Sequence, residues 1–226
     1  MNHEYLLFNA LIVTGPVLLS FDREVRYVSK WIPALFATLG AGIPFFLWDV
    51  LVTGRHWWFN PEYTMTSQIL GLPPGEWLFF VTVPFASLFI WEIFSVKLPV
   101  SSQSENPTRS AAGLLLVITG IPLFLLNLEY TGLVVSALGL VILVQYLLKV
   151  YLTKRAFLGR YLLILTALIF VFNGYLTARP VVLYDAAYQL NLRILTIPIE
   201  DFLYGYALIL LAVLIFEKLK EQRVYV

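Results

Sequence analysis

Four acidic side chains give the first hint of chemistry. Glu76 stands in "LPPGEWLFF" (72–80), and Glu200 with Asp201 in "IPIEDFLYG" (197–205), each just after a proline at the mouth of a long apolar run. Asp49, in "FLWDV", lies near the end of another such run. Neighbouring carboxyls at a buried helix start repel each other, so one of Glu200 and Asp201 can remain protonated. A protonated carboxyl in an apolar pocket is a general acid. A plainer reading stands beside this one. Proline suits the first helical turn, and a carboxylate one turn in is favoured by the helix dipole. Glu76 alone reads equally either way. The Glu200–Asp201 pair points to function, because ionisable groups within a membrane are costly.

The surrounding chain supplies that membrane. Of 226 residues, 60% are apolar and 13% charged, about half the charge of an ordinary soluble domain, which is roughly 25%. A spanning helix needs about 20 mostly apolar residues. Seven runs qualify: 4–21, 31–53, 76–96, 111–127, 129–150, 158–178 and 201–218. The first has no basic residue ahead of it and no small-residue cleavage site, so it reads as a retained helix. With seven spans, twelve of the fifteen lysines and arginines collect on one face, leaving Arg55, Arg179 and Arg193 on the other. Basic loops stay cytoplasmic. The chain is therefore expected in the cell inner membrane with its N-terminus outside and its C-terminus inside.

Sliding the sequence against itself by 125 residues aligns its rare features. Glu4-Tyr5 meets Glu129-Tyr130, Pro73 meets Pro198, Glu76 meets Asp201, Tyr63 meets Tyr188, and Trp91-Glu92 meets Phe216-Glu217. Only eight of the forty-five positions from 48 to 92 are identical, so the polar and proline matches carry the repeat. The expected fold is an all-α integral membrane protein: seven transmembrane helices, as two parallel three-helix repeats joined by a connecting helix. The units are 1–97, a linker and connecting helix 98–127, and 128–226. Glu92 and Glu217 lie sixteen residues beyond their motifs, about 24 Å along a helix. They are expected at the cytoplasmic end, neutralised by Lys97 and Lys218.

Several chemistries are excluded. No cysteine means no disulfide, thiolate metal site or cysteine nucleophile. Two histidines make no metal cluster. "GLPPGEW" lacks the spacing and the preceding strand of a nucleotide loop. A net charge of +1 offers no basic face for nucleic acid. The outer loops "RHWWFNPEY" (55–63) and "RPVVLYDAAY" (179–188) are aromatic. They suit an interfacial belt, or a lining that stabilises a cation through ring faces.

"LSFDREVRY", "FLWDVLVTGRHWWFNPEY", "LPPGEWLFFVTVPFASLFIWE" and "IPIEDFLYG" together resemble the lycopene cyclase domain of the heterodimeric and fused, non-flavin carotenoid cyclases, over residues 4–220. The family's repeated Pro-x-Glu-Glu helix start is met by "PIED" (198–201), with Asp201 as the second acid. The first copy departs from it, with Gly75 in place of the first acid. The resemblance implies a lycopene β-cyclase, an intramolecular lyase or isomerase that closes the ψ-ends of lycopene to β-rings without net redox change or cofactor. It implies Glu200 and Asp201 as the leading acids, Glu76 as their counterpart and Asp49 as an assisting group. Asn60, Asn173, Trp48, Trp77, Phe202 and Tyr188 are then candidates for the substrate pocket. The expected partners are membrane lipid, the carotenoid substrate, and a second copy of the chain or another carotenoid enzyme, with no nucleic acid. The alternatives are an ε-ring or C50 carotene cyclase, or a small seven-helix parallel-repeat transporter. The transporter lacks its Pro-Gln pairs here, and a retinal protein would need a lysine within 203–216, where there is none.

Overall fold

The structure, a computed structural model, describes residues 3–98 and 108–223. Positions 99–107 of the expected linker lie outside the described residues. Seven α-helices are present among the described residues: α1 (Glu4–Leu19), α2 (Trp31–Val52), α3 (Pro74–Lys97), α4 (Thr108–Leu125), α5 (Glu129–Leu148), α6 (Leu158–Ala178) and α7 (Ile199–Arg223). Five of them, α2, α3, α5, α6 and α7, are long and apolar enough to cross a membrane. The other two, α1 and the Ser110–Leu125 stretch of α4, are shorter apolar helices. Leucines such as Leu11, Leu51, Leu147 and Leu163 are exposed on the outside of the bundle. So much bare apolar surface needs lipid to cover it, and the protein is an integral membrane protein.

Helix starts follow the sequence. Pro74 opens α3, and α7 begins directly after Pro198, where a missing N–H costs nothing. The hairpin of α4 and α5 is held by small residues. A Cβ at Gly120 would lie 2.7 Å from the Gly132 carbonyl oxygen, and one at Gly132 would collide with the Phe124 backbone nitrogen. Close backbone approach of this kind drives helix association in lipid, where no hydrophobic force acts between helices.

The repeat is visible in space. α1 packs on α3 as α5 packs on α7, while α2 lies against both α3 and α7. Two short strands, β1 (Trp57–Phe59) and β2 (Val182–Tyr184), pair antiparallel: Trp57 with Tyr184, Trp58 with Leu183, Phe59 with Val182. Trp58 and Leu183 are counterparts at the 125-residue offset, so the ribbon maps onto itself with that pair at its centre. Matched loops also share an unusual backbone: Leu70 (φ 53°) and Leu195 (φ 58°) both lie in the left-handed region.

At the far end of the bundle the two repeats are tied by charge. Glu92 accepts from Lys30 at 2.5 Å and from Lys220 at 2.7 Å. Its counterpart Glu217 accepts from Arg155 at 2.6 Å and from the Trp91 indole at 2.9 Å, with Lys220 also 2.5 Å away. Lys30 and Arg155 are themselves counterparts. Both acids are thus neutralised, but not by Lys97 and Lys218. Those pair with Glu24 and Glu221, because the inward-facing glutamates are reached only by cations from neighbouring elements. Removing one partner of a buried charge pair costs roughly 3–5 kcal/mol. The lower end applies here, since the cations keep 21–26% of their side-chain surface exposed. Glu217→Ala is expected to lower the melting temperature in detergent by about 6–12 °C while leaving the opposite end of the bundle intact. An unchanged melting temperature would show that the cluster is not structural.

Candidate active site

Each of the two motif acids is held by a tyrosine from the first helix of its own repeat. The Tyr5 hydroxyl donates to Glu76 Oε2 at 2.6 Å, and the Tyr130 hydroxyl donates to Asp201 Oδ1 at 2.7 Å. These four residues are two counterpart pairs. They face one shared cavity of about 60 Å³, which Asp49, Trp57, Phe59, Phe79, Tyr184 and Tyr204 also line. The β1–β2 ribbon contributes Trp57, Phe59, Val182 and Tyr184, so it roofs the space between the repeats.

The carboxyls differ in what surrounds them. Asp201 accepts three donors: Tyr130, the Tyr184 hydroxyl at 2.9 Å and Asn173 Nδ2 at 3.2 Å. That setting suits an ionised carboxylate, which only accepts. Burial, reinforced by the nearby Asp201 charge, pushes the Tyr184 phenol well above its ordinary pKa, so it remains a donor. Asp49 Oδ2 is buried without a hydrogen-bond partner. No lysine, arginine or histidine lines the cavity among the described residues.

Glu200 does not line this cavity. Adjacent helix positions point in different directions, and its Oε1 instead accepts from the Thr131 hydroxyl at 2.7 Å and the Leu190 N–H at 2.8 Å. It ties the start of α7 to α5 and to the preceding loop. Gly75, in the equivalent place, leaves room for the Tyr5 ring: a Cβ there would lie 2.5 Å from Tyr5 Cδ1. Asn9 secures the arrangement by donating to the Gly75 and Tyr5 carbonyls, and Thr82 donates to Asn9.

The remaining candidates divide. Asn173 lines the cavity. Asn60 accepts from the Glu62 N–H and shapes its own loop, as Asp185 does with Ala187. The Trp77 indole donates to the Ile69 carbonyl and packs edge-on against Phe46. Phe202 is buried with Ile169 and Ile197. Tyr188 stacks on His56 at 4.3 Å beneath Arg55, which pairs with Glu129. Trp48 meets His56 edge-on and lines a separate groove. Sequence reasoning assigned no role to Tyr5, Tyr130, Tyr184 or Tyr204. A signal existed for two of them, because Glu4-Tyr5 and Glu129-Tyr130 coincide in the repeat. Nothing local in the sequence shows that these tyrosines meet acids 71 residues away.

Two helical repeats in a membrane thus each supply a tyrosine-bound carboxyl to one shared cavity walled largely by aromatic side chains. The lycopene cyclase family model matches residues 2–94 and 127–219, and the chain belongs to the lycopene cyclase family. The second matched segment begins and ends 125 residues after the first (127 against 2, 219 against 94), the offset found by self-comparison. The function is accordingly that of a carotenoid cyclase, working among lipid on a hydrophobic substrate. No curated protein and no solved structure matches the chain.

Proposed function

We propose that this protein is a lycopene β-cyclase, an intramolecular lyase or isomerase that closes ψ-ends to β-rings. The observation that carries the reading is the shared cavity, in which Glu76, Asp201 and Asp49 meet under an aromatic roof. Burying unpaired carboxylates is costly, and no basic side chain in the lining offsets three of them. A proton kept among the three is the reagent the reaction needs. Asp49 and Glu76 deliver it to the terminal double bond of the carotene. The resulting cation is attacked by the next double bond, forming the carbon–carbon bond of the six-membered ring. Asp201, already the acceptor of three hydrogen bonds, removes a proton to leave the ring alkene. One proton enters and one leaves, so the step is redox-neutral.

Rings around the cavity stabilise the cation by about 0.5–2 kcal/mol each. Exclusion of water protects the cation from capture. Glu200 acts as a positioning residue, because its bonds to Thr131 and Leu190 fix the helix start that presents Asp201. The units 1–97 and 128–226 act as one body, joined through 98–127. The same reading keeps the N-terminus outside and the C-terminus inside the cell inner membrane, which puts the cavity near the outer surface.

The test is expression in a bacterium that accumulates lycopene, with chromatography of the pigments. Conversion to β-carotene or a one-ringed carotene is expected. An ε-ringed product, or unchanged lycopene with the protein present in the membrane, would sink the assignment.

A further inference from the structure

Beyond the acid cavity, two apolar grooves run between the repeats, and they are counterparts of each other. One, of about 50 Å³ between α1, α3, α6 and α7, is lined by Ile12, Ala86 and Ile169. The other, of about 350 Å³ between α2, α5 and α7, is lined at the matching 125-residue offset by Ala137, Leu211 and Pro44. The two differ in what they reach. The first groove shares Phe79, Asn173, Asp201 and Tyr204 with the acid cavity. The second shares no residue with it.

The difference falls on one pair of counterparts. Where the first groove has Asn173, which donates to Asp201, the second has the indole of Trp48. By symmetry the second groove would end on Glu76, as the first ends on Asp201, yet Glu76 is absent from its lining. Tyr204 completes the wall: its ring packs edge-on against Phe45 at 4.9 Å, and its hydroxyl donates to the Phe45 carbonyl.

We propose that the groove between α1, α3, α6 and α7 is the single hydrocarbon route to the acids, occupied by the polyene chain of the carotene, and that Trp48 closes its symmetry-related twin. The inference rests on the cyclase reading and makes it more specific. Half-exposed Leu168 and Phe172 lie among the residues of the open groove, giving a chain in the lipid a way in. With one route, the two repeats build one reaction chamber rather than two. The ends of a carotene are therefore closed one at a time, and the molecule leaves and re-enters end for end between rings.

The absence of cysteine from the chain allows a direct test in the full-length protein. Ala86→Cys and Leu211→Cys are matched single thiols, one in each groove. Each is labelled in detergent by an apolar maleimide, with and without lycopene, while pigment conversion by the unsubstituted protein is followed in parallel. At lycopene about ten times its dissociation constant, labelling of Ala86→Cys is expected to slow about tenfold, because only the empty fraction reacts. Labelling of Leu211→Cys is expected to keep its rate. In the parallel time course the one-ringed carotene appears before any two-ringed product. Equal protection of both thiols, protection of Leu211→Cys alone, or two-ringed product without a one-ringed precursor overturns the single route. Absence of protection at both thiols while the unsubstituted protein cyclises lycopene overturns it too. Absence of both protection and cyclisation instead brings down the cyclase reading on which it stands.

Discussion

Asp201→Asn is expected to abolish ring closure with the protein still present in the membrane. Asparagine keeps the size of the side chain but cannot take up a proton, and positioned acid–base groups contribute about 10²–10⁴-fold in rate. A hydrocarbon substrate offers no other handle, so the upper end of that range is expected. Glu200→Gln is the informative companion. Its side-chain oxygen can still accept from Thr131 and Leu190, and its amide replaces an oxygen that has no hydrogen-bond partner. Turnover within a few-fold of the native protein is expected, read as pigment conversion normalised to protein in the membrane. Equal loss in both variants would contradict the division between an acid that faces the cavity and a neighbour that does not. Tyr130→Phe and Tyr184→Phe should fall between the two, since each removes one of three donors to Asp201.

The second large effect is expected at Gly75. A Cβ there would meet Tyr5 Cδ1, Cγ and Cβ at 2.5, 2.6 and 2.9 Å, all ring-bearing atoms fixed by the backbone of α1 rather than the loose tip of a long side chain. Gly75→Ala therefore forces Tyr5 off Glu76 or pushes α1 from α3, at a cost of about 1–3 kcal/mol for overpacking. Cyclisation is expected to fall further than that destabilisation alone predicts, because the Tyr5–Glu76 bond is lost. Gly75→Glu, which would restore the motif of the second repeat, should be worse. The control is the Tyr5→Ala background, where the same alanine at 75 should cost less than it does beside Tyr5, since the two nearest collision atoms, Cδ1 and Cγ, are gone and only the Cβ at 2.9 Å remains. Full activity and stability in Gly75→Ala would show that the close approach does not govern the site.

The departure of "PPGE" from "PIED" thus has a packing origin. In the second repeat Glu200 has room and finds donors in Thr131 and Leu190. In the first, Leu6 stands at the position equivalent to Thr131, and the Tyr5 ring occupies the space a side chain at 75 would need. The two copies use the same tyrosine–carboxyl bond and differ in what supports it.

Much of this protein was legible in its sequence for a physical reason. Long apolar runs leave a chain in lipid few options other than helices, so the seven segments could be drawn within a few residues from hydropathy, proline and charge. The 125-residue repeat was readable because prolines, acids and tyrosines are rare in such runs. Pro73 with Pro198, Glu76 with Asp201 and Glu92 with Glu217 coincide in the bare chain. What the chain could not disclose locally is direction around a helix and proximity across the bundle. Glu200 and Asp201 are neighbours in sequence, yet only Asp201 lines the cavity. Lys97 and Lys218 lie close to Glu92 and Glu217 in sequence, yet Lys30, Lys220 and Arg155 neutralise them. Tyr184 reaches Asp201 only because the β1–β2 ribbon folds over the space between the repeats, and Trp48 and Asn173 become comparable only once two grooves exist. The sequence by itself determined a membrane-bound, twice-repeated helical protein with acids at its helix mouths. Tertiary structure alone decided which acids share a cavity and which groove opens to it, because those depend on packing between segments far apart in the chain.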